Sequence, residues 1–98
     1  MGIRFAPLAI VDLEGIGDFI AQDNPSRAYS FVREIRQQCE QISDFPLRYR
    51  ARPELGEAIR SCAFGNYVIL YRLECIDVLI VRILHGAMDI PRHMTIEQ

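Results

Sequence analysis

Lysine is absent from this chain: all eleven basic residues are arginine. Arginine suits bidentate contacts to carboxylate or phosphate, although genomic codon bias produces the same usage. Cysteine is scarce, at Cys39, Cys62 and Cys75. The odd count, with no Cys-x-x-Cys or Cys/His ligand spacing, points to a reduced, cytosolic protein without a zinc site. No apolar h-region follows the Met1-Gly2-Ile3-Arg4-Phe5 start, so no signal peptide is expected. No apolar run, Val78–Val81 included, approaches the length needed to span a bilayer. A phosphate-binding glycine loop, a metal motif, an internal repeat and a low-complexity linker are all missing, so no cofactor or metal is expected. The net charge of −2 does not announce a nucleic-acid binder, and no sequence-specific nucleic-acid contact is expected.

What is present is globular. Ninety-eight residues, half of them hydrophobic and 24% charged, suit one domain over residues 1–98 with a modest core. The organising stretch runs from Arg60 to His85. Two β-branched and aromatic runs, Tyr67–Leu73 and Val78–Leu84, are split by Glu74-Cys75-Ile76-Asp77, which reads as strand, short connection, strand. A third run, Ala58–Phe64, joins the first through Gly65-Asn66, a dipeptide able to supply positive φ in a tight turn. The reading is a three-stranded antiparallel meander, with Tyr67, Ile69, Tyr71 and Leu73 on one face of its middle strand. Such a sheet needs an apolar cover.

The first half of the chain supplies that cover. Ile3-Arg4-Phe5 reads as a short first strand, and Pro7 suits the first turn of a helix. Ala9, Leu13, Ile16 and Ile20 form one helical face that Phe19 widens, while Asp12, Glu14 and Asp18 fall off it. Gly15 and Gly17 each lower helix propensity by about 1 kcal/mol. They either admit a close neighbour or are simply tolerated. Asn24-Pro25 places an N-cap and an N1 proline before a second helix, whose stripe is Ala28, Val32, Ile35, Cys39 and Ile42, flanked by Phe31 and Phe45. Pro46 ends it. The expected fold is α+β: a short N-terminal strand, then a helical hairpin packed on one face of a small, mainly antiparallel sheet.

Between hairpin and meander, Pro46–Gly56 alternates Arg48, Arg50 and Arg52 with Leu47, Tyr49 and Ala51. So basic a loop in an acidic chain is a candidate contact surface, or a solvated loop whose arginines pair with Asp44, Glu54 and Glu57. Arg72 and Arg82 are expected to point away from the helices, toward Glu74 or Asp77. His85 ends a strand, where packing or a ring hydrogen bond to a carbonyl explains it better than catalysis, and His93 lies in the tail. That tail, Gly86–Gln98, contains Pro91 and few apolar residues, so it is expected to leave the sheet and be partly disordered when unbound.

The order of these pieces resembles the ParE branch of the ParE/RelE toxin superfamily. The matching residues are Ala9-x-x-Asp12-Leu13-x-x-Ile16, Asn24-Pro25-x-x-Ala28, Phe45-Pro46-x-Arg48, Pro53-Glu54-Leu55, Arg60, Gly65-Asn66-Tyr67-x-Ile69-x-Tyr71 and His85-Gly86. The series covers about nine tenths of the chain; no single piece is specific. The resemblance implies the toxin of a bacterial type II toxin–antitoxin module. It also implies a ParD-like antitoxin partner, in a heterotetramer or larger hetero-oligomer, and DNA gyrase as target. Arg48, Arg50, Arg52 and Arg60 are the candidates for target contact. Phe19, Phe31, Tyr67 and Tyr71 are the candidates for antitoxin contact. The RelE branch instead cleaves ribosome-bound mRNA. Where its pattern has arginines, this chain has Val68 on the middle strand and Gly86-Ala87-Met88 after the last strand, and no Tyr follows. No catalytic residue is therefore assigned, since a metal-free ribonuclease needs a proton-transfer group and cations for the phosphorane charge. A non-toxic relative that only binds its antitoxin is the remaining alternative.

Overall fold

A computed structural model describes residues 2–97, excluding the side chains of 93 and 95–97. His93 thus lies outside the described side chains. The chain runs β1 (Gly2–Phe5), α1 (Pro7–Ala21), α2 (Pro25–Asp44), β2 (Arg50–Ala51), β3 (Arg60–Phe64), β4 (Tyr67–Glu74), β5 (Asp77–His85) and α3 (Ile90–Glu97), with a 3-10 turn at Pro53–Leu55. The five strands form one sheet in the order β1-β5-β4-β3-β2. The meander β3-β4-β5 is antiparallel, and only β1 pairs in parallel, with β5. The α+β architecture is therefore a helical hairpin against a mixed, mainly antiparallel sheet.

Local chemistry accounts for the boundaries. Pro7 opens α1, and Asn24 caps α2 by accepting the Arg27 amide at 3.1 Å. Gly65 takes φ +58° in the β3–β4 turn, which a residue without Cβ adopts freely. Cys75 does the same work at φ +58° between β4 and β5, and Ala58 holds φ +61° just before β3. That conformation breaks the extended run expected from Ala58, so the strand begins at Arg60.

One core lies between hairpin and sheet: Ala9, Leu13 and Ile16 of α1, Ile35, Cys39 and Ile42 of α2, and Cys62, Ile69, Tyr71, Val78, Ile80 and Ile83 of the sheet. A Cβ at Gly17 would stand 3.4 Å from the Val32 side chain, at the edge of ordinary contact, and Gly15 faces open space, so both glycines are tolerated rather than required. The opposite face of the sheet is also covered. Leu55, Ile59, Leu70, Val81 and Leu84 pack with Ile90 and Met94 of α3. The tail therefore does not leave the sheet: it turns at Met88, whose amide donates to His85 O, and folds back as a helix. Ile90 and Met94, about one turn apart, seat it there.

Arg82 also departs from expectation. Leu70 pairs with Arg82 but Tyr71 with Ile80, so β5 carries one extra residue. β1 ends at Phe5, opposite Ile80, and past that point the edge of β5 faces α1. Arg82 reaches across the edge to Asp12 rather than to Glu74 or Asp77. Arg72 does pair with Glu74, at 3.0 Å. No helix among the described residues is long and apolar enough to cross a membrane.

Candidate functional site

The segment after α2 is tied down at several points. The Tyr71 hydroxyl donates to Pro46 O, and the Arg60 guanidinium donates to Tyr49 O at 2.7 Å. Tyr49 packs edge-on against Tyr71, ring centroids 6.3 Å apart. Arg52 is held by Glu54 at 2.7 Å and Ser61 at 3.3 Å. The Arg52 guanidinium, donating a hydrogen bond, keeps the Glu54 carboxyl below its usual range. Two of the four arginines singled out from sequence thus organise the loop: Arg52 and Arg60 are engaged internally.

Arg48 and Arg50 are different. Both are exposed, and among the described residues neither has a carboxylate within salt-bridge distance. Arg48 lies over the Phe45 ring, 4.9 Å from its centroid. Phe45 and Leu47 are exposed beside it, so Phe45 does not complete the apolar stripe of α2. Arg50 sits on β2, the edge strand at the opposite side of the sheet from β1. The result is an edge patch of two cations and two large apolar groups, built on a loop that Tyr71 and Arg60 hold rigid. Such a patch can bind an acidic protein surface, with arginine stacking adding to charge.

The aromatic candidates separate in the same way. Tyr71 is wholly buried and unavailable to a partner. Burial pushes its hydroxyl up to about 12. Its alternation with Tyr67 and Ile69 put it on the correct face, and that face is the core. Phe31 and Tyr67 are half-buried and pack at a tilt with ring centroids 5.8 Å apart, and Phe64 and His85 complete the ring cluster. Phe19, on the outer side of α1, is 67% exposed. It borders a groove with Val11, Gly15, Tyr67, His85 and Met88. Phe19, Phe31 and Tyr67 therefore gather at one end of the molecule, and Phe19 does not widen the core stripe. At the rim of this groove His85 Nδ1 accepts the Ala87 amide at 3.1 Å, so the ring shapes the exit from β5 as an acceptor rather than a donor to a carbonyl.

Sequence reading missed a second groove, on the outer side of the hairpin. Its lining includes Gly17, Ala28, Val32 and exposed Tyr29, with Arg33 and Arg36 beside them. Ala28 is buried, as its place in the stripe of α2 predicts, and Val32 is half-buried; both also line this groove, where Tyr29 and Arg36 join them. The available signal was the small residues Gly17 and Ala28 at the helix crossing.

Comparison with known proteins gives concordant results. The family model for the ParE toxin of the type II toxin–antitoxin system parDE matches residues 3–90. Toxin ParE3 of Caulobacter vibrioides is 30% identical over 89 residues, spanning 90% of this chain and 88% of that protein. The chromosomal ParDE toxin–antitoxin system from P. aeruginosa contains a chain that superposes with a TM-score of 0.75 at 20% identity, covering 87% of this chain and 95% of that one. A chain of the toxin–antitoxin complex RelBE2 from Mycobacterium tuberculosis superposes with a TM-score of 0.63 at 27% identity, covering 86% and 95%.

Proposed function

The chain belongs to the ParE toxin family of type II toxin–antitoxin systems, and from that footing we propose that it binds DNA gyrase in the cytoplasm and is neutralised by a ParD-like antitoxin. The observation that carries the target half is the edge patch of Arg48 and Arg50 beside Phe45 and Leu47, two cations without carboxylate partners among the described residues. Inhibition here is by occupancy. Val68 and Met88 stand where the ribonuclease branch carries arginines, so the proposal assigns no catalytic residue. The antitoxin half is supported by the toxin–antitoxin complexes that share the fold and by the exposed apolar groups along the hairpin. A hetero-oligomer, heterotetrameric or larger, is the expected resting state.

The test is gyrase supercoiling with purified chain. Inhibition that weakens about tenfold in Arg48→Gln/Arg50→Gln, with circular dichroism unchanged, supports the reading. Full supercoiling at saturating wild-type protein rejects gyrase as the target. The likeness to the RelBE2 complex favours one alternative, a ribosome-dependent ribonuclease. Primer extension on ribosome-bound mRNA would reveal it as codon-dependent cuts lost in Arg48→Ala.

A further inference from the structure

Charge is divided along this chain. α1 carries Asp12, Glu14 and Asp18 and no basic residue, whereas Pro46–Gly56 carries Arg48, Arg50 and Arg52 against Glu54 alone. Asp12 is held by Arg82 at 2.8 Å. Glu14 and Asp18 are exposed, and among the described residues neither has a cation within salt-bridge distance. With about 3.6 residues per turn, they fall on one flank of the stripe Val11, Gly15 and Phe19. That stripe borders a groove of roughly 340 Å³ between α1 and the end of β5, whose lining includes Ile16, Tyr67 and Ile83. Val11 is 57% and Phe19 67% exposed, and a Cβ at Gly15 would meet nothing within 4 Å. The stripe is therefore apolar, notched in the middle and acidic along one side. The complementary feature is on the same chain. Phe45 and Leu47 stand exposed after α2, with Arg48 over the Phe45 ring and Arg50 following on β2. The bonds to Pro46 O from Tyr71 and to Tyr49 O from Arg60 brace this knob, so little order is lost when it docks. It lies at the β2 edge of the sheet, whereas the groove lies by β5 toward the other edge, so no copy can fill its own groove.

We propose that the groove beside α1 seats Phe45 and Leu47 of a second copy of this chain, with Arg48 and Arg50 of that copy against Glu14 and Asp18. Apolar burial supplies the affinity, and opposite charge sets the orientation. Packing α1 on α1 about a two-fold axis would cover the same apolar stripe, but it would bring Glu14 and Asp18 of both copies together, which like-charge repulsion disfavours. The contact is therefore heterologous. Each docked copy leaves one knob and one groove open, so association continues head to tail. The inference stands whatever the toxin inhibits. Where the knob also serves a target, self-association and target binding exclude each other.

The experiment is sedimentation equilibrium of the purified chain over a range of concentrations, in about 50 mM and about 0.5 M salt. The average mass should rise with concentration without levelling at a dimer, and the higher salt should weaken association by about tenfold. Glu14→Arg/Asp18→Arg and Arg48→Glu/Arg50→Glu should each weaken it by about 100-fold or more, since opposite charges become like charges. All four positions are exposed, and circular dichroism checks the fold. Mixed in equal amounts, the two variants should associate again, because the basic groove of one meets the acidic knob of the other. Misfolding cannot produce that rescue. A wild-type chain that stays monomeric to about 1 mM overturns the proposal. So does a dimer of fixed mass, a pair of charge reversals that leave association unchanged, or a mixture no more associated than its components.

Discussion

Arg82 of β5 clasps Asp12 of α1 with a two-pronged grip: Nε donates to Oδ2 at 2.8 Å and one terminal nitrogen to Oδ1 at 2.9 Å. The same Oδ2 accepts the Ile83 amide at 2.9 Å. β1 has ended by then, so the carboxylate replaces the missing strand as acceptor for β5. Both side chains are close to nine-tenths buried. Leaving one of such a pair unpaired costs about 3–5 kcal/mol. Asp12→Ala should therefore lower the urea midpoint sharply, and Asp12→Leu/Arg82→Met should recover a large part of the loss. A single variant as stable as wild type would show the grip to be energetically idle.

The third helix leads to a second prediction. Its eight residues are too few to hold together alone. Ile90 and Met94, buried on Leu70, Val81 and Leu84, keep it in place. Met94→Ala should cost about 2 kcal/mol or more, and Met94→Asp should detach the helix and expose the sheet. Amide exchange would register detachment as lost protection in Leu70 and Val81. Unchanged protection in Met94→Asp would refute it.

These two features also mark where sequence reading stopped. The meander, the hairpin and the Asn24 cap were legible because apolar periodicity and turn residues are local signals. The nearly continuous apolar run Val78–Leu84 carries no local sign of the extra residue in β5, so nothing in the sequence turns Arg82 toward Asp12 rather than toward Glu74 or Asp77. The tail was misjudged because a helix seated by two side chains has almost no periodic signature. At the candidate site, the three arginines of the basic loop and Arg60 just after it look alike in sequence. Which of them is free depends on Tyr49 O, Ser61 and Glu54 being within reach, and only the fold decides that.

Ala58 offers a stabilising substitution. It is exposed and held at φ +61°, a region that costs a residue with Cβ about 1–2 kcal/mol. Ala58→Gly removes that strain at some entropic cost. The net gain should be a fraction of 1 kcal/mol up to about 1 kcal/mol, visible as a Tm rise of a few degrees. A lower Tm would mean the loop relies on the Ala58 methyl for packing.

Alkaline stability follows from the buried acids. Burial raises Tyr71 and Cys39 each to about 12, from ordinary values of 10 and 9. In that interval the folded chain holds protons that the unfolded chain has released, so stability is complete below about pH 9 and falls as pH rises toward 12. Tyr71→Phe should flatten the fall between 10 and 12 while leaving the cysteine contribution in place. It should also cost some stability at neutral pH, because Pro46 O loses its donor. Urea midpoints across this range check both, and a pH profile identical to wild type would contradict the assignment.

The loop arginines should divide by role. Arg60 donates to Tyr49 O from a half-buried position, and Arg60→Gln should loosen the loop and lower stability by about 1 kcal/mol. Arg50, exposed and without a carboxylate partner among the described residues, should tolerate Gln within about 0.5 kcal/mol of wild type. Target binding should respond the other way round, with Arg50→Gln losing affinity while staying fully folded. Lysine separates charge from geometry. Arg48 is stacked on Phe45, so Arg48→Lys should lose part of the affinity, whereas Arg50→Lys should keep nearly all of it. Equal losses at Arg48→Lys and Arg50→Lys would mean that both guanidinium groups are read in the same bidentate manner, and normal binding by Arg48→Gln/Arg50→Gln would remove the loop from the interface.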